Sequence, residues 1–249
     1  MIGQQLAITT AVLEQPNGGH GDLVYRCTAS QQETAIGEHE FLIRYNKLSD
    51  NLGVTGSLQW LYEHTTAPII AFLHSDCEIF EQGWDERALR EFDDPKVGVV
   101  GFGGATQLGH DDLYKTPYKL QQLARFGYAS NTKDAEQHGE RFEGSRDVAV
   151  LDGFSLIIRR TLLDKVGGWP VKETPFHMYD AAICCLAHEA GYRVRLCGIL
   201  SLHHGGATST TSQYQEFSLR QYGKSDAQVH EESHKYIYER FRKVLPWHC

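Results

Sequence analysis

Short apolar runs alternate along the chain with amphipathic stretches, the pattern of an α/β protein. Residues 6–13 (LAITTAVL) are apolar or β-branched throughout and predict a first strand. The turn-rich segment 15–22 follows, where Pro16, Asn17, Gly18, Gly19 and Gly21 break structure. Residues 41–45 predict a second strand and 23–27 a weaker one. Val54, Leu58, Leu61 and Tyr62 recur at helical spacing, so a helix is expected to about His64, and Pro68 restarts the chain as an extended segment. Residues 69–73 are a continuous β-rich run that stops abruptly at His74-Ser75-Asp76-Cys77-Glu78. That is the signature of a buried strand whose carboxyl end opens into a site. Trp84, Ala88, Leu89 and Phe92 mark a helix, and 97–102 another strand.

Residues 103–146 are polar and weakly patterned, with one helical stretch near 118–126, and read as a substrate-facing insertion. The strand pattern resumes at 148–151 and 155–158, on either side of Asp152 and Gly153. A short helix at 161–166 stops at Gly167-Gly168. A longer one at 178–190 places Ile183, Leu186, Ala187 and Ala190 on one face before Gly191. Residues 192–202 are extended and end at His203-His204-Gly205-Gly206. Val229, Tyr236, Ile237, Phe241 and Val244 fit a C-terminal helix ended by Pro246. With no internal repeat or low-complexity linker, the expectation is one α/β domain over 1–210, its mostly parallel central sheet flanked by helices. A helical extension over 211–249 is expected to pack on it.

Composition narrows the classes. A chain of 249 residues with 41% hydrophobic and 22% charged residues can bury a sizeable core. Its apolar runs fall far below the roughly 18 residues of a membrane span, and its start lacks a signal-peptide pattern, so a cytoplasmic location is expected. The 24 Lys plus Arg against 32 Asp plus Glu give a formal charge of -8, which disfavours a broad footprint on duplex phosphate. A local patch stays open, either Arg141, Arg146, Arg159 and Arg160 or Lys235, Arg240, Arg242 and Lys243. The six cysteines contain no C-x-x-C pair and read as reduced, mostly buried thiols.

Three features carry candidate chemistry. Asp76 and Glu78, one residue apart just past a buried strand, point the same way if the chain stays extended and can then face one divalent cation. His203 and His204 end another apolar strand, and imidazole is a common ligand of transition ions. Asp180 heads the helix at 178–190, preceded by His177 and Tyr179. It suits either a stabiliser of the helix start or a general base.

The order of these pieces resembles the family 2 glycosyltransferases of GT-A fold. The resemblance rests on Asn51-Leu52-Gly53, then 70–78, then Leu151-Asp152-Gly153 with 157–160 and Val166-Gly167-Gly168-Trp169. Tyr179-Asp180 with Gly191-Tyr192-Arg193-Val194, and last His203-His204-Gly205-Gly206, complete it. It covers roughly residues 40 to 210.

The resemblance implies an inverting transferase that uses a nucleotide-diphosphate sugar, with a UDP-sugar as the expected donor and Mn2+ or Mg2+ as the metal. Asp76 matches the last Asp of the family's D-x-D, with His74 in place of the first. Either His74 is itself a ligand or Asp76 and Glu78 share the task, and His203 or His204 completes the shell. Asp180 matches the base of the family's E-D pair, with Tyr179 in place of the Glu. Asn51, Gly53 and Ser57, with His74 and Ser75, fall on the donor side, and Thr9 and Thr10 are further candidates there. Asp152, Gly153, Phe154, Trp169 and His177 are candidates to line the acceptor site. The acceptor is a glycan, a small molecule or, as in a phage-type enzyme acting in host cytoplasm, a hydroxylated base in DNA. A non-catalytic glycan or sugar-nucleotide binding module and a nucleotidyltransferase are the rival readings.

Overall fold

The structure is a computed structural model that describes residues 6–13, 21–47, 49–109, 125–126, 142–204, 211–245 and 247–249. The first half runs β1 (Leu6–Leu13), α1 (Asp22–Glu33), β2 (Glu40–Asn46), α2 (Gly53–Glu63), β3 (Ile69–His74), β4 (Cys77–Ile79), α3 (Trp84–Glu91) and β5 (Val97–Gly101). Five short strands follow: β6 (Gly104–Ala105), β7 (Gln107–Leu108), β8 (Arg125–Phe126), β9 (Ser145–Asp147) and β10 (Val150–Leu151). The chain continues with β11 (Ser155–Arg159), α4 (Arg160–Val166), α5 (Tyr179–Glu189), β12 (Arg193–Cys197) and β13 (Ser201–His203). It closes with α6 (Ser212–Tyr222), α7 (Asp226–Phe241) and β14 (Trp247–His248).

The central sheet has seven strands in the order β2-β1-β3-β11-β5-β12-β9. Five of them run one way, while β11 and β9 run against them. The period-2 alternation of β3 explains its continuous apolar run. Ile70 and Phe72 pack on one face with Leu61 of α2, Leu162 of α4, Ile183 of α5 and Ile237 of α7. Ile69, Ala71 and Leu73 pack on the other with Trp84 and Ala88 of α3. Each such side chain contributes roughly 1.5–3 kcal/mol by leaving water, so a strand covered on both faces is the sheet's anchor.

Several expectations need correction. The weak strand at 23–27 is helical: Leu23 and Tyr25 of α1 face solvent, while its buried residues are Cys27 and Gln31, one turn apart. A local apolar cluster misled because the face that packs has a period near four. Of the run at 148–151 only Val150–Leu151 form a strand, β10, which pairs with β6, while Val148 and Ala149 are the link from β9, which pairs with β12. The segment 192–202 divides likewise into β12, in the main sheet, and β13, paired with β4. The C-terminal helix starts earlier than expected, behind a capping box of Ser225 and Gln228, and α6 precedes it. Most of the helix near 118–126 lies outside the described residues, and Arg125–Phe126 pair with β6. Most of the turn 15–22, Arg141, Gly205-Gly206 and Pro246 also lie outside them.

The topology places the site. Because β11 is antiparallel to β3, Ser155 lies opposite Leu73, and the residues before β11 meet those after β3. The His74 backbone N–H donates to the Phe154 carbonyl at 2.9 Å. In the same way, β13 pairs with β4 so that His203 lies opposite Cys77, and the His204 N–H donates to the Asp76 carbonyl at 3.0 Å.

Candidate active site

Ser75 and Asp76 form the tight turn between β3 and β4. Buried Gln31 of α1 clamps it: its Nε2 donates to the carbonyls of His74 at 2.9 Å and Cys77 at 2.8 Å, and its Oε1 accepts from Thr10 Oγ1 at 2.9 Å. Within this frame three side chains converge. His203 Nε2 lies 3.3 Å from Asp76 Oδ1, His74 Nδ1 lies 3.6 Å from the same oxygen, and the two nitrogens are 3.4 Å apart. Phe154 stacks on the His203 ring at 5.0 Å, so this residue, expected to line the acceptor site, sits behind His203 in the core. Burial pushes the Asp76 carboxyl up, but the His203 hydrogen bond and the two imidazoles outweigh it and bring it to about 2. Burial holds His74 below its ordinary value, whereas for His203 the hydrogen bond and charge of Asp76 outweigh burial and raise it. An ionised carboxylate and two ring nitrogens facing one point are a donor set that a divalent ion fits.

Glu78 and His204 do not join this group. The turn at Ser75-Asp76 breaks the extended geometry that would have aimed Asp76 and Glu78 together. His204 Nε2 instead bonds Glu78 Oε2 at 2.7 Å, in a separate cluster with Cys27. Arg26 of α1 pairs with Glu78 at 3.1 Å there. Burial, followed by the charges of Glu78 and Asp76, pushes the Cys27 thiol up to about 12, so it is a protonated core thiol.

Asp180 stands in the first turn of α5, behind Met178, whose φ of 61° makes it the one positive-φ residue other than glycine among the described residues. Backbone held in that region marks stored strain, and such positions cluster at functional sites. Asp180 accepts from its neighbour Ala181 N–H at 2.8 Å and from Gly153 N–H at 3.1 Å. Burial and then the Asp152 charge raise its carboxyl to about 6, against those two hydrogen bonds. Tyr179 reaches back across Gly153 so that its Oη meets His74 Nε2 at 2.7 Å. A Cβ on residue 153 would fall 2.2 Å from that oxygen, so the glycine is the gap through which Tyr179 passes. Contacts therefore run unbroken from Asp76 through His74 and Tyr179 to Gly153 and Asp180.

Other expected site residues have local duties. The Thr9 hydroxyl donates to the Ala71 carbonyl at 2.8 Å and the Thr10 hydroxyl to Gln31 at 2.9 Å, and both residues are buried in the sheet. Asn51 Oδ1 accepts from the Gly53 N–H at 2.9 Å, shaping the entry to α2, and buried Ser57 is bonded to Asn46 Nδ2 at 2.8 Å. Phe217 and Tyr222 of α6 lie directly over Gly53. Trp169 is core, edge-on to Phe72 at 5.2 Å. His177 Nε2 donates to Asp226 of α7 at 2.6 Å. Of the proposed basic patches, Arg159 donates to the carbonyls of Phe92, Asp94 and Val97, Arg160 to those of Tyr62, Thr65 and Ala67, and Arg240 pairs with Glu189. Sequence reasoning missed Gln31, which carries no motif, and the Arg26–Glu78–His204 cluster, which only the β4–β13 pairing assembles.

Comparisons with known proteins identify the fold and the family. Three-dimensional similarity extends to a mannosyltransferase from Pyrobaculum calidifontis, PcManGT, solved in complex with GDP-Man and Mn2+. The identity is 12% and the TM-score 0.53, over 92% of this chain and 69% of that one. It extends also to S. aureus TarS in complex with UDP-GlcNAc, at 11% identity and TM-score 0.52, over 96% of this chain and 73% of that one. At these identities the likeness establishes the fold, which is of the GT-A type. No sequence among curated proteins matches the chain. No helix among the described residues is long and apolar enough to cross a membrane. The model of a glycosyltransferase-like family matches residues 39–239, most of the sheet and nearly all of both C-terminal helices, and the chain belongs to that family.

Proposed function

We propose that this glycosyltransferase moves a sugar from a nucleoside-diphosphate donor to an acceptor hydroxyl, with inversion at the anomeric carbon. His74 Nδ1, Asp76 Oδ1 and His203 Nε2 would hold a divalent cation, and Asp180 would act as base. The observation that carries this reading is the continuous contact path from the three-residue cluster to Asp180, which sets a candidate ion site and a candidate base on one sheet edge. A bound cation would neutralise charge growing on the departing diphosphate. The chain's own residues do the rest. The Gly153 N–H holds one oxygen of Asp180 while the other bonds the helix backbone, so the carboxylate is oriented before an acceptor arrives. Its value of about 6 suits a group that accepts a proton near neutral pH. Phe154 fixes the His203 ring, and Gln31 fixes the turn that bears Asp76.

A UDP-sugar is the first donor to try, since one fold neighbour is solved with UDP-GlcNAc and another with GDP-Man and Mn2+. The test is release of nucleoside diphosphate from a panel of nucleotide sugars with a divalent cation. Release should stop in chelator, and Asp76→Ala should lower it by about 100-fold or more. Undiminished release in excess chelator would contradict the cation role. Tight donor binding with no release, whatever the acceptor, would point to a binding module.

A further inference from the structure

A second cluster at this sheet edge joins Arg26, Glu78 and His204. His203 and His204 are neighbours in sequence but turn to opposite sides, as successive side chains of an extended segment do. His203 meets Asp76 and His74, on the side from which Tyr179 leads to Asp180. His204 meets Glu78 and Arg26, on the side of α1. The main chain joins the two groups, since the His204 N–H donates to the Asp76 carbonyl at 3.0 Å. Strands β1, β2 and β3 are parallel, so α1 starts at the edge where β3 ends, and Arg26 lies in its first half.

The Arg26 guanidinium is oriented, yet most of its donors are open. Its Nε lies 3.1 Å from Glu78 Oε1, and the other oxygen of that carboxylate accepts from His204 Nε2 at 2.7 Å. A carboxylate only accepts, so this ring nitrogen carries the proton and offers no lone pair to Arg26 Nη2, 3.3 Å away. Among the described residues no carboxylate or carbonyl takes the two Nη groups. The Arg26 side chain is 57% exposed, while Glu78, which holds it, is 12% exposed. A planar fork fixed at Nε with its far end open is suited to a two-pronged grip on phosphate.

Charge calls for such a group. A departing nucleoside diphosphate carries roughly three negative charges near neutral pH, one on the inner phosphate and about two on the outer. A divalent cation balances two, and the Asp76 carboxylate already draws on that charge. In an inverting transfer the leaving group stands across the anomeric carbon from the base, on the side turned away from Asp180. Resting on the donor reading above, we propose that Arg26 is a donor-binding residue whose Nη groups bond phosphate oxygens of the nucleoside diphosphate, with Glu78 holding the fork by Nε.

The test is isothermal titration of the full chain with UDP and with GDP in the presence of Mn2+, beside titration with Mn2+ alone. Arg26→Gln should weaken nucleoside diphosphate binding by about 10- to 100-fold, the range of a charge-assisted pair, and leave Mn2+ affinity and melting temperature unchanged. Its remaining affinity should also fall less steeply with added salt than that of the wild type. Arg26→Lys, which keeps the charge without the fork, should recover part of the loss. If Arg26→Gln binds UDP and GDP as the wild type does, or loses Mn2+ as far as it loses nucleotide, the inference is overturned while the donor reading stands. If the wild type binds neither nucleoside diphosphate with Mn2+ present, both are overturned.

Discussion

A carboxyl held near pH 6 works as a base only after it has lost its proton. Turnover limited by chemistry should therefore rise with pH through about 6 and level off above it. Asp180→Asn should lower turnover by about 100- to 10,000-fold and leave donor affinity unchanged, as isothermal titration with a donor analogue would show. The same shift fixes a sign for stability. Because the folded state raises this carboxyl above its ordinary 3.8, ionised Asp180 costs stability above about pH 6, and the cost vanishes below about pH 4. The stability difference between the Asn variant and wild type should accordingly shift in the variant's favour by about 1–3 kcal/mol between pH 4 and pH 8, on top of a pH-independent cost where the amide nitrogen meets a backbone N–H. An equal difference at both pH values would show that the effect is packing and not charge. At this scale Asp76, His203 and Asp180 were legible as acidic or imidazole groups at the ends of apolar segments. Glu78 and His204 were misread as partners of Asp76, because the rotation of a two-residue turn leaves no periodic trace in sequence.

Elements carry these residues, and small side chains decide how closely they approach. Gly153→Ala would set a Cβ 2.2 Å from Tyr179 Oη and push the phenol off His74. Release of nucleoside diphosphate should fall by at least about tenfold in that variant, whereas wild-type release would mean that the gap is not needed. On the opposite face of the sheet, α3 is tied to the segment before β2 through fully buried Asp85. It accepts from the Ile36 and Gly37 N–H groups at 3.1 and 2.9 Å and from His39 Nε2 at 2.5 Å. Burial pushes this carboxyl up, but those bonds win and hold it at about 2. Its stabilisation of about 2 kcal/mol is present above about pH 4 and lost as pH falls toward 2. Asp85→Asn should lower the melting temperature at pH 7, and the gap should close on acidification. Strand β1 was legible to the residue because both faces of the sheet bury it, so nearly every position is apolar. Helix α1 was not, because it packs through a thiol and an amide and leaves Tyr25 in solvent.

Across the whole molecule, helix α7 shares the core of the sheet. Ile237 and Phe241 of α7 and the following Leu245 are buried in the cluster that also holds α5 and β3. Ile237→Ala should cost about 2–5 kcal/mol and lower the melting temperature by about 5–15 °C in a single transition. Two separate transitions would instead mark the extension as an independent unit. The order of strands, helices and motifs was readable because each apolar run has the length and period of its element. The convergence of Asp76 and His203 at the ends of two apolar strands was expected, but the pairings of β11 with β3 and β13 with β4 that bring it about were not readable, because they join residues 82 to 126 positions apart. Anomalous scattering from a crystal grown with Mn2+ and a nucleoside diphosphate would show whether Asp76 and His203 meet around one ion. A single strong metal peak is expected within about 2.0–2.3 Å of His74 Nδ1, Asp76 Oδ1 and His203 Nε2, with the diphosphate on its open side. A peak at Cys27, Glu78 and His204, or bound nucleotide with no metal beside Asp76, would contradict it.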